Sequence, residues 1–174
     1  MLTPPASASS NYPALFLQAV ERVLSNEGGY SSLPGDRGGA TNFGISQRDY
    51  PMLDVRNLTR EEVVAIYFRD FWQPDRYRDL PAPLAVKLFD LAVNMGPEHA
   101  IRCLQRALRS CGDAVLEDGV LGDLSVAAVK RAECFALLTA LRSEAAGYYR
   151  ATAAARAAHG QSEFLEGWLN RAYQ

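Results

Sequence analysis

Residues 84–96 read LAVKLFDLAVNMG, and a helix over them is apolar on almost every side. Such a helix is stable in water only when other helices surround it, so the rest of the chain has to supply a helical bundle. Lys87, Asp90 and Asn94 alone interrupt the apolar run, and spacings of three and four residues line them up in one stripe. A polar stripe on a buried helix must meet water, a polar partner or a ligand. Two readings follow for Asp90 and Asn94: bonds to neighbouring backbone inside the fold, or the lining of a substrate cleft.

The rest of the chain supplies those helices. Phe16, Val20 and Val23 recur at helical spacing and predict a first helix from near Pro13 to Glu27. Thr59-Arg60-Glu61-Glu62 has the form of a capping box, opening a helix with Val63, Ile66, Tyr67 and Phe71 on its inner face and Pro74 at its close. Gly96-Pro97 ends the buried helix and starts another, whose core stripe is Ile101, Leu104, Leu108 and Cys111. Asp123 or Ser125 is expected to cap one long Ala- and Leu-rich helix reaching at least Tyr149, and Ala151 to Ala158 stays helical. Gly160 breaks the pattern, and Phe164, Leu165, Trp168 and Leu169 form a closing amphipathic helix. Strand is confined to residues 30–46, with one short helical turn between Ser46 and Leu53 limited by Pro51. Residues 1–11, rich in Pro, Ser and Ala, read as a disordered tail. At 174 residues the remainder suits one hydrophobic core. A single domain over 12–174 is therefore expected, with halves at 12–80 and 81–174.

The stretch 25–46, SNEGGYSSLPGDRGGATNFGIS, breaks the helical pattern most sharply. Eleven residues separate Glu27 from Phe16, about three full turns, so Glu27 continues the inward stripe. Gly28 and Gly29 suit a helix terminus, which leaves Glu27 beside the negative end of the helix dipole. Partial burial and that dipole both oppose ionisation, the condition under which a carboxylic acid keeps its proton and can act as a general acid. The competing reading is an ordinary solvated helix end. Leu33-Pro34-Gly35-Asp36 fits a turn, so Asp36 serves either as a turn residue bonded to its own backbone or as a second functional carboxylate.

Composition removes several classes of function. Charged residues make up 22% and apolar residues 48%, ordinary globular values. Eighteen basic against twenty acidic residues leave no basic stripe for phosphates, so no nucleic-acid partner is expected. His99 and His159 have no ligand at a convincing interval, and Cys103, Cys111 and Cys134 form no metal motif; no metal and no cofactor are expected. The three cysteines read as buried thiols of a reducing cytoplasm. No apolar run approaches a membrane span and no signal-peptide pattern opens the chain, so synthesis in the cytoplasm without stable membrane insertion is expected.

Four ordered motifs carry a family resemblance: EGGY through DRGGATNFGI, FDLAVNMGPEHAIRCLQRAL, EDGVLGDLSVAAV and FLEGWLNR. Together they resemble the glycoside hydrolase 108 family of lysozyme-like N-acetylmuramidases with its C-terminal peptidoglycan region, over nearly everything after residue 13. Ser125 stands where that family often has Thr. The resemblance implies a mainly α, lysozyme-like α+β fold, a helical bundle with a small β-hairpin beside the active-site helix. It also implies that Glu27 is the catalytic acid and that the substrate is the glycan strand of peptidoglycan, cut between N-acetylmuramic acid and N-acetylglucosamine.

Cleaving a β-1,4 glycosidic bond needs an acid and usually a second carboxylate, for which Asp36 is the leading candidate. Thr41 follows five residues later, and the Glu, Asp, Thr order resembles phage-type lysozyme sites in which a Thr helps hold water, with the last interval one residue shorter here. Tyr30 and Asn42 are candidates for sugar hydroxyls, and Tyr30 reads equally as core. The expected groove lies between the Glu27 helix end with its hairpin and the helix of 84–96, which would put Asp90 and Asn94 against substrate. A monomer is expected, acting on the wall in the periplasm or outside the cell. It would be either a phage or prophage endolysin served by a membrane-permeabilising partner, or an antibacterial effector served by a secretion system. The rivals are a peptidoglycan-binding module without turnover and a hydrolase of another wall bond.

Overall fold

The computed structural model describes residues 12–26, 29–30, 40–157 and 165–174, which form two compact units dividing between Pro74 and Asp75. Among the described residues the fold is mainly α, with one two-stranded antiparallel sheet.

In the first unit, α1 (Ala14–Asn26) buries Phe16, Ala19, Val20 and Val23 completely, the stripe its sequence spacing predicts. The Phe16 ring meets Phe68 edge-on at 4.9 Å and Trp72 at 5.4 Å, an arrangement in which the positive edge of one ring faces the negative face of another. β1 (Thr41–Asn42) and β2 (Ile45–Ser46) pair with Thr41 opposite Ser46 and Asn42 opposite Ile45. Phe43 (φ 49°) and Gly44 (φ 77°) turn the corner with two positive φ angles, as in a type I′ hairpin. Glycine accepts this without cost, whereas Phe43 is strained there. The Tyr67 hydroxyl donates to the Phe43 carbonyl at 2.8 Å and helps hold it in place.

Between Ser46 and Leu53 the expected single helical turn forms, Tyr50 N–H bonding the Ser46 carbonyl four residues back, and a tight turn follows in which Leu53 N–H bonds the Tyr50 carbonyl. The Gln47 side-chain amide braces them by donating to the Leu53 carbonyl at 2.7 Å. α2 (Arg60–Tyr67) opens with the full capping box: the Thr59 hydroxyl accepts the Glu62 N–H and the Glu62 carboxylate accepts the Thr59 N–H at 2.8 Å. The helix then widens into a π turn over Phe68–Trp72, where Gln73 N–H reaches back five residues to the Phe68 carbonyl. The extra residue puts Trp72, 3% exposed, in the core and leaves Phe71 only half-buried, although a uniform 3.6 period favours Phe71.

The second unit is built on α3 (Ala82–Met95), which packs against α4 (Pro97–Ser110) and α6 (Cys134–Ala157); α5 (Asp123–Arg131) rests on α4 and α7 (Leu165–Tyr173) on α6. Leu84, Ala85, Leu88, Phe89, Leu91 and Ala92 of α3 are fully buried, as an all-round apolar helix requires. Gly96, at φ 89°, lets the chain reverse between α3 and α4, and Pro97 starts α4 where its missing N–H is not needed.

Three expectations are corrected in this unit. The long helix is two helices, α5 and α6, separated at Ala132 and Glu133. Glu133 caps the second by accepting the N–H groups of Phe135 and Ala136 at 2.9 and 2.7 Å. Neither Asp123 nor Ser125 caps α5. Its N-cap is Gly122, and Ser125 is buried with its hydroxyl 3.3 Å from the Gln105 amide. Of the thiols only Cys103 is buried; Cys111 ends the α4 stripe in solvent and Cys134 is half-buried.

Candidate active site

The carboxylates on which the chemistry was expected to turn, Glu27 and Asp36, lie outside the described residues. What borders them in sequence is described. α1 ends at Asn26, and Gly29 has open space where a side chain would stand. Tyr30 follows, 42% exposed, with the Arg56 guanidinium 5.2 Å from its ring centre. A cation over an exposed ring contributes about 0.5–1 kcal/mol, enough to bias the ring's position without sealing it. Tyr30 is therefore a surface aromatic and not a core residue.

Arg56 also ties down the hairpin through its backbone. The Asn42 amide nitrogen donates to the Arg56 carbonyl at 3.3 Å, and Asn42 is 5% exposed. The Asn42 side chain, expected at sugar hydroxyls, is turned inward here and holds β1 against the 55–57 turn. Thr41, next to it, is half-buried at the open end of the hairpin. Nothing in the spacing of the sequence singled out Arg56, because its relation to Tyr30 and Asn42 spans long loops.

On the same unit, the 49–53 turns and α2 enclose a groove of about 470 Å³ whose apolar wall includes Met52, Leu53, Leu58 and Ile66. Tyr50 lies in it and donates its hydroxyl to Asp70 at 2.8 Å. Burial, with the Asp70 carboxylate next, pushes the Tyr50 phenol well above its ordinary range, while hydrogen bonding from Arg69 holds Asp70 below the usual carboxylate range. Tyr50 is thus fixed as a neutral hydrogen-bond donor.

The stripe on α3 divides. Asp90 is 1% exposed, with Lys87 Nζ at 3.7 Å and Arg171 Nε at 3.8 Å, and Lys87 donates to the Arg171 carbonyl. Of the two readings of Asp90, this geometry supports the interior one, the anion of a charge cluster joining α3 to α7. Asn94 is exposed, and its carbonyl oxygen accepts the Tyr149 hydroxyl at 2.8 Å. Among the described residues no group of three or more His, Cys, Asp or Glu side chains could hold a metal.

Residues 20–96 match the glycosyl hydrolase 108 family, and residues 99–173 match the predicted peptidoglycan domain. The chain carries a glycosyl hydrolase 108 domain followed by a predicted peptidoglycan domain. The solved structure of Brucella abortus SagA is similar at 28% identity and a TM-score of 0.69, over 91% of this chain and 93% of that one. No curated protein matches. The fold is accordingly the mainly α, lysozyme-like one. The glycosyl hydrolase 108 match ends at the Gly96 corner, whereas the compact units divide at Pro74, so α3 belongs to the hydrolase by sequence and to the second unit by packing. A glycosidase domain beside a peptidoglycan domain supports hydrolysis of peptidoglycan as the activity.

Proposed function

We propose that the protein is an N-acetylmuramidase, cleaving the β-1,4 bond between N-acetylmuramic acid and N-acetylglucosamine, with Glu27 as the general acid. The observation that carries this reading is the glycosyl hydrolase 108 match ahead of the peptidoglycan domain. The buried stripe of α1 supports Glu27: Phe16, Val20 and Val23 are fully buried, and the next position in that series is residue 27. A carboxyl continuing that stripe would favour the protonated form needed to release the leaving oxygen. Asp36 supplies the second carboxylate and Thr41 helps hold the attacking water, and Tyr30 offers an exposed aromatic face to the sugar.

Among the described residues no helix is long and apolar enough to cross a membrane. For its route to the wall we propose a second component, a membrane-permeabilising protein in phage lysis or a secretion machine in antibacterial attack.

Purified sacculi provide the test. The wild-type protein should release new reducing ends, and mass spectrometry of the fragments should place the cut at N-acetylmuramic acid. Glu27→Gln should lower kcat by about 10²–10⁴-fold with an unchanged melting temperature. Asp36→Asn should lower kcat as well, and less steeply if Asp36 only orients water. Release of amino groups without reducing ends would establish a different bond, and retention of full activity by Glu27→Gln would remove the acid from its assigned place.

A further inference from the structure

The second unit holds a recess of about 230 Å³ between the end of α3, one face of α6 and α7, lined by Asn94, Tyr148, Tyr149, Thr152, Arg156 and Trp168. On α6 the lining residues 148, 152 and 156 recur every four positions, so they form one row. Tyr149 stacks on Trp168 at 5.7 Å and 25°, and its hydroxyl occupies the Asn94 carbonyl oxygen. That bond leaves the Asn94 amide nitrogen as a donor with both its hydrogens to give. Arg156 lies 5.2 Å from the Trp168 ring centre and pairs with no carboxylate among the described residues. Tyr148 is backed by His99, ring centres 5.1 Å apart.

The chemistry of this recess is one-sided. Its polar heads are a guanidinium, an amide nitrogen and the hydroxyls of Thr152 and Tyr148, groups that donate readily, and among the described residues no Asp or Glu lines it. A guanidinium placed over an indole ring still has its planar fork of N–H donors for two-pronged recognition of a carboxylate. The aromatic walls and the Met95 side chain suit a small apolar body carrying that anion. At this volume the recess is smaller than pockets for drug-sized ligands, so it admits one residue-sized group and no disaccharide.

We propose that this recess binds a carboxylate on the peptide-bearing arm of peptidoglycan, so that the second domain holds the wall by its acidic side arms while the first acts on the glycan. The two sources of that chemistry are the lactyl carboxylate of an N-acetylmuramic acid from which the stem peptide has been removed, since an attached peptide turns it into an amide, and the C-terminal alanine carboxylate of a stem peptide. The proposal rests on the reading of the protein as a peptidoglycan hydrolase, and names what its second domain recognises.

The test is a titration of the ¹⁵N-labelled full-length protein with N-acetylmuramic acid, with N-acetyl-D-alanyl-D-alanine and with the C-terminal amide of that dipeptide, following the Trp168 indole N–H; Trp72, 3% exposed, is the internal control. Saturable shifts at Trp168 with either carboxylate, absent with the amide, are expected, and the responding compound identifies the source. Arg156→Ala should weaken binding about tenfold or more, and Arg156→Lys, which keeps the charge but loses the planar fork, should fall between. Arg156 is exposed, so an unchanged melting temperature is expected and shows that the variant is folded. Equal shifts with acid and amide, no shift with either acid at millimolar concentration, or unchanged affinity in folded Arg156→Ala would overturn the assignment. Release of reducing ends from sacculi by the same preparation separates the two claims: turnover without Trp168 binding sinks the recess alone, and binding without turnover sinks the hydrolase reading alone.

Discussion

Replacing Asp90 by Asn decides between a structural and a substrate-binding role for the one acid of α3. The carboxylate is 1% exposed, and the two cations beside it, Lys87 and Arg171, are 6% and 8% exposed. At 3.7 and 3.8 Å, with an effective dielectric constant near 20, each attraction is about 4 kcal/mol before desolvation is counted. Asn keeps the shape and removes the charge, so two buried cations lose the anion between them. Breaking a buried ion pair from one side costs about 3–5 kcal/mol, a large part of the roughly 5–15 kcal/mol by which a domain is stable. Urea unfolding of wild type and Asp90→Asn should therefore differ by about 3–5 kcal/mol, with KM on sacculi unchanged for the folded fraction. Lys87→Met added to Asp90→Asn should recover part of the loss, because it removes one of the two buried positive charges that Asp90 offsets. A variant as stable as wild type but with a raised KM would refute the interior assignment and return Asp90 to the substrate.

Gln105 is the second structural centre. Its amide nitrogen donates to Asp118 at 2.7 Å and to the Val120 carbonyl at 3.1 Å, and its oxygen accepts the buried Gly119 N–H at 2.9 Å. Gln105→Leu should cost about 3–5 kcal/mol, since several bonds are lost and a buried N–H is left unmet, and hydrogen exchange at Gly119 should accelerate; unaltered exchange there would count against it. For the thiols, burial pushes Cys103 up to about 11, so peptide mapping after alkylation at pH 8 should find Cys111 modified well before Cys103. The sign for stability follows: the fold favours the neutral thiol, so the Cys103 contribution is intact below its unfolded value near 9 and declines as pH rises through about 11. Equal labelling rates for Cys103 and Cys111 in native protein would contradict this burial.

Where the sequence failed, the deciding contacts were long-range. A continuous helix over residues 123–157 would run about 52 Å, far beyond the roughly 21 Å of α4, on which both α5 and α6 pack. Helix propensity favours the unbroken form, and packing on α4 overrides it at Ala132 and Glu133. Asp90 and Asn94 share a stripe, yet Arg171 draws the first into an interior cluster while Tyr149 meets the second at the rim of the recess. The recess itself was invisible in the one-dimensional reading, which took Trp168 only as an apolar position of a closing helix.

The local signals held because their partners are near in sequence. The Thr59 and Glu62 cap is a contact over three residues, Gly96 and Pro97 set a corner through their own backbone preferences, and the α1 stripe follows from the helical repeat. Those features, with the ordered motifs, were enough for the mainly α, lysozyme-like fold and the glycosidase family. Which acid is sealed among cations, which arginine stands over an indole and which thiol meets solvent depend on segments tens of residues apart. Burial and electrostatics act through distance in space, and only the folded chain fixes that distance.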